Sequence, residues 1–66
     1  MRNWLREIRL SSNISQEQII TEANITRQAY WLIENDQRNP SVETAKAIAR
    51  VLGFNWTRFF EEEEKQ

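Results

Sequence analysis

The chain has 66 residues, 39% of them apolar, and neither cysteine nor histidine, which allows one small domain and excludes disulfides, zinc clusters, thiol chemistry and the commonest general base. Its net charge of −1 hides an asymmetry: Glu61 to Glu64 hold four of the ten acids, and up to Phe60 eight basic residues outnumber six acidic ones, a weak pointer to a polyanion partner. No apolar run exceeds the five residues Ala29 to Ile33, which predicts a cytoplasmic binding module with no transmembrane span and no signal peptide.

One glycine and one proline cannot supply the turns of an all-β domain of this length. Apolar residues recur at helical spacing instead. Leu5 and Ile8 mark a first helix over roughly Arg2 to Leu10, broken by the short polar side chains of Ser11, Ser12 and Asn13. Ser15 is placed to cap a second helix, with Gln18 completing a capping box and Ile14 stapling onto Ile19. Ile19, Ile20 and Ala23 form its buried stripe, and Asn24 ends it in the left-handed conformation.

Thr26 caps a third helix running to about Glu34, with Ala29, Tyr30 and Ile33 facing inward. Two short helices joined by a tight turn form a helix-turn-helix. A loop from Asn35 to Pro40 follows, and Ser41 caps a fourth helix whose Val42, Ala45, Ile48, Ala49 and Leu52 keep one face apolar. Gly53 takes the left-handed position after it, and Asn55 caps a short fifth helix bearing Trp56, Phe59 and Phe60. The predicted division is an all-α, five-helix domain over residues 1–60 and an acidic tail over 61–66, solvated because like charges repel.

This arrangement resembles the DNA-binding domain of the XRE family, the Cro/repressor-type regulators of bacteria and phages. The resemblance rests on Ser15-Gln16-Glu17 opening helix two, Ile25-Thr26-Arg27 opening helix three and Ile33-Glu34-Asn35 closing it. Arg38-Asn39-Pro40-Ser41 in the loop, Ala49-Arg50-Val51-Leu52-Gly53 in helix four and Arg9 in helix one complete it. The chain departs from the family pattern at Ile20, where alanine is usual, and at Asn24 and Asp36, which replace glycines. Trp31-Leu32 stands where the recognition helix is normally polar. Asparagine and aspartate both tolerate positive φ, so the same backbone path is expected.

The resemblance implies a DNA-binding transcriptional regulator, expected to be a repressor, that pairs as a homodimer on double-stranded DNA without cofactor, metal or small-molecule ligand. Arg27, Gln28 and Leu32 of helix three are the expected base contacts: arginine suits guanine, glutamine suits adenine and leucine suits a thymine methyl. Gln16, Thr26, Asn35 and Arg38 are the expected phosphate contacts. Arg9 and Glu34 are expected to form an internal ion pair, and Trp56, Phe59 and Phe60 the dimer surface. A protein-interaction module of the same fold, binding another regulator through Trp31 and Leu32, is the alternative. An enzyme is the least favoured reading, because the carboxylates are not paired and no nucleophile has a base.

Overall fold

The computed structural model describes residues 2–61. Five helices follow in chain order: α1 Asn3–Ser11, α2 Gln16–Ala23, α3 Arg27–Glu34, α4 Val42–Leu52 and α5 Arg58–Glu61. Among the described residues there is no strand, and no helix is long and apolar enough to cross a membrane. Glu61 ends α5, and residues 62–66 of the expected tail lie outside the described residues.

Each N-terminus of α2, α3 and α4 is closed by a hydroxyl. Ser15, Thr26 and Ser41 have extended backbones and accept from the amides of Gln18, Ala29 and Thr44 at 3.1, 3.0 and 3.2 Å. These bonds satisfy donors that the first helical turn leaves without a partner. The capping box at Ser15 forms only by half. The Gln18 side chain reaches forward to Glu22 at 3.2 Å instead of back to the cap, the ordinary i,i+4 contact of an exposed helix face.

The C-termini share one device. After α1, α2, α3 and α4 the chain turns through Asn13, Asn24, Asp36 and Gly53, with φ of 60, 58, 63 and 82°. In each case the amide of the following residue reaches back to a carbonyl five positions earlier, as in Ile14 to Arg9, Ile25 to Ile20, Gln37 to Leu32 and Phe54 to Ala49. This is the Schellman closure, built three times out of four without glycine.

The core draws on every helix: Leu5, Ile19, Ala23, Tyr30, Ile33, Ala45, Ile48, Leu52 and Phe59. α2 packs chiefly on α4, with α1 and α3 closing the other side. Ile20, at the position where the family has alanine, is half-buried at the margin of this core, so its extra volume is absorbed there. Ala29 is likewise only half-buried. Val42 departs further from expectation: it is 47% exposed, at the first position of α4.

Candidate nucleic-acid interface

The geometry of α3 follows from two opposed arcs. At 100° per residue, Tyr30, Ile33 and Glu34 fall together, and all three are buried. Gln28, Trp31, Leu32 and the following Asn35 sweep the opposite arc, and Arg27 stands at its edge, about 20° from Glu34. Of these Arg27 and Gln28 are exposed, Trp31 is 50% exposed, and Leu32 and Asn35 are half-buried.

Glu34 is the point at which α1, α2 and α3 are tied. Its carboxylate accepts from Arg9 Nε at 3.0 Å and from Gln16 Nε2 at 2.8 Å, and the residue is 3% exposed. Burial of a carboxylate is tolerable when its lone pairs are taken by a charge and a neutral donor together. The Tyr30 hydroxyl lies beside this cluster. Burial first, and the Glu34 carboxylate second, push its pKa up to about 12. The Arg9 guanidinium opposes that rise, but the hydroxyl finds no partner in hydrogen-bond geometry among the described residues.

Gln16 therefore spends one amide hydrogen on Glu34. The other remains available to an acceptor, at the first turn of α2. Thr26 accepts through its hydroxyl oxygen from Ala29, so its hydroxyl hydrogen can be given away. The Asn35 amide donates to the Trp31 carbonyl at 2.9 Å and closes α3. Arg38 is exposed in the loop beyond it.

Two residues to which the sequence assigned no role at the site join this surface. Glu17, in the first turn of α2, forms an ion pair with Arg27, in the first turn of α3. The two first turns are thus neighbours, and the charge of Arg27 is shared with an acid. Arg2 is the second: it is 2% exposed and reaches the chain just after α3. Its position three residues before Leu5 and seven before Arg9 is the available signal, since helical spacing carried back from α1 to this N-cap residue puts it on the side of Leu5 and Arg9.

The aromatic residues near α5 divide. Phe59 is fully buried, with its ring 5.2 Å from Trp4 and 5.5 Å from Phe54. Its expected role at a dimer surface is thereby corrected: it is a core residue, because so small a domain needs a large apolar side chain to fill its centre. Trp56 and Phe60 are half-buried and meet edge to face at 6.0 Å, with the Lys46 ammonium 5.1 Å over Trp56.

A family model described as helix-turn-helix matches residues 5–59. The chain is 47% identical over 62 residues to YqaF of Bacillus subtilis (strain 168), named as an uncharacterized HTH-type transcriptional regulator. That match covers 94% of this chain and 82% of the relative. It is 33% identical over 61 residues to the HTH-type transcriptional regulator PuuR of Escherichia coli (strain K12), covering 92% of this chain and 33% of PuuR. It is 34% identical over 59 residues to the immunity repressor protein of Bacillus phage phi105, covering 89% of this chain and 41% of the repressor. With the family model matched over residues 5–59 and 94% of its length covered by a relative at 47% identity, the chain belongs to the XRE-type helix-turn-helix family of DNA-binding transcriptional regulators.

Proposed function

We propose that this chain is a sequence-specific repressor that inserts α3 into the major groove of an operator as a homodimer. The supporting observation is the outward arc of α3: Arg27 and Gln28 stand exposed in its first turn while Tyr30, Ile33 and Glu34 lock its other side. The first turn of a recognition helix is the part that reaches base edges. Gln16 and Thr26 flank that turn, Asn35 and Arg38 lie past the far end of α3, and all four hold the phosphates. The likeness to a phage immunity repressor favours repression. Trp56 and Phe60 offer the dimer surface, and a two-fold pair would set its recognition helices about 34 Å apart.

The test is selection of bound sequences from a random pool, followed by titration on matched and scrambled duplexes at several salt concentrations. Arg27→Ala or Gln28→Ala is expected to cost about 1–3 kcal/mol on the matched duplex and much less on the scrambled one. Arg38→Ala is expected to weaken both alike and to lower the salt slope by about one. Equal losses for Arg27→Ala on both duplexes would remove base reading from α3. The half-exposed Trp31 then favours the second reading, a module that binds another regulator through Trp31 and Leu32. Its binding would be nearly indifferent to salt.

A further inference from the structure

Arg2 is a buried cation that does not belong to the Arg9–Glu34 cluster. Its backbone amide donates to the Glu34 carbonyl at 2.8 Å. Its guanidinium Nη1 donates to the Ile33 carbonyl and, at 3.2 Å, to the Arg38 carbonyl. Nη2 donates to Asn39 Oδ1 at 2.6 Å, and Asp36 Oδ1 stands 3.5 Å from Nη1. The group lies 5.6 Å over the Phe59 ring. One side chain thus joins the last turn of α3 to three residues of the loop that carries Arg38.

The chemistry of the partners explains why an arginine stands here. The last carbonyls of a helix carry partial negative charge, and a cation beside them is favourable. Two carbonyls, an amide oxygen and a carboxylate around one point call for several donors in a fixed plane. A guanidinium supplies them, whereas an ammonium is a point donor that cannot span the set. Asp36 holds the left-handed turn out of α3, so the same guanidinium grips the chain on both sides of that turn.

We infer that Arg2 is a positioning residue for DNA binding: it fixes the 36–39 loop so that Arg38 meets the phosphate backbone without first being ordered. This rests on the reading of Arg38 as a phosphate contact. It makes a residue just ahead of α1 a determinant of affinity but not of sequence preference. An already ordered contact avoids the entropy cost of fixing the loop on binding.

The experiment pairs Arg2→Lys with Arg38→Ala in the whole chain, at a temperature where circular dichroism shows every variant folded. Hydrogen exchange of the loop amides is measured without DNA, and affinity is measured on matched and scrambled duplexes. Arg2→Lys is expected to speed exchange at Asp36, Gln37 and Arg38 while leaving the α2 and α4 amides unchanged. It should lower affinity by about tenfold on both duplexes, the scale of one charge-assisted contact. In the Arg38→Ala background the same change should cost less than about twofold, because the contact it serves is gone. Unchanged loop exchange in Arg2→Lys would overturn the inference, and so would an equal tenfold loss with and without Arg38. If the unsubstituted chain bound neither duplex, the DNA reading itself would fail and the positioning role with it. Loop exchange, read without DNA, would still decide separately whether Arg2 holds the loop.

Discussion

Glu34→Ala tests whether three helices are held through one carboxylate. The side chain is 5% exposed and its arginine partner 12%, so the pair is largely removed from water. Deleting the acid leaves the Arg9 guanidinium buried without its counter-charge, and such a loss costs about 3–5 kcal/mol. A 66-residue chain at typical stability per residue holds roughly 3–10 kcal/mol in all. Glu34→Ala is therefore expected to remove between a third and all of the stability. At about 4–8 °C per kcal/mol, the melting temperature falls by at least roughly 12 °C. Glu34→Gln keeps the shape but turns an amide nitrogen toward Arg9 Nε or Gln16 Nε2, donor against donor, and should lie between Glu34→Ala and the unsubstituted chain. The double variant Arg9→Met, Glu34→Leu removes both charges and should recover at least half of the Glu34→Ala loss, because the half-buried Gln16 can turn to water. Urea unfolding followed by circular dichroism reads all four chains. A loss below about 1 kcal/mol for Glu34→Ala would mean that the pair behaves as an exposed one, and the argument from burial would be wrong.

Two further outcomes follow from the same geometry. Tyr30 titrates near 12 in the folded chain against 10.0 for an unperturbed phenol. As pH rises the unfolded state loses its proton first, so this contribution is complete below about pH 10 and declines toward pH 12, by on the order of 2 kcal/mol. Urea midpoints measured across that range should fall more steeply for the parent chain than for Tyr30→Phe; parallel declines would refute the assignment. Asn13 holds φ 60° at the end of α1, so Asn13→Gly should raise stability by a few tenths to about 1 kcal/mol and Asn13→Ala should lower it. Thermal melts in which alanine matches asparagine would show that the left-handed turn is not needed there.

Legibility from sequence followed the range of the interaction. Ser15, Thr26 and Ser41 were readable as caps because a cap is decided within three residues, and their bonds form as expected. Asn24, Asp36 and Gly53 were readable as left-handed positions for the same reason. Asn13 obeys the same rule, yet its short polar neighbours pointed only to a break in the helix. The partners of Arg2 were not legible, since they lie 31 to 37 positions away. Phe59 was misassigned because an aromatic cluster reads alike whether it fills a core or covers an interface.

The two charge clusters have a common cause in the size of the domain. A chain this short buries only about 60% of its unfolded surface, and α3 gives the core just Tyr30 and Ile33 in full. Apolar contact from two residues leaves an eight-residue helix free to slide or roll. Hydrogen bonds of fixed direction remove that freedom: Glu34 ties the inner side of α3 to α1 and α2, and Arg2 ties its last carbonyls to the following loop. Both sets of ties act on the last turn. The first turn is left with one exposed link, from Arg27 to Glu17, which high dielectric makes weak and replaceable. A helix clamped at one end and open at the other can exchange Glu17 for a stronger partner without moving its axis. That polarity suits the proposed reading role of α3, in which the orientation would be set before the ligand arrives and only the outer side chains would change partners on binding.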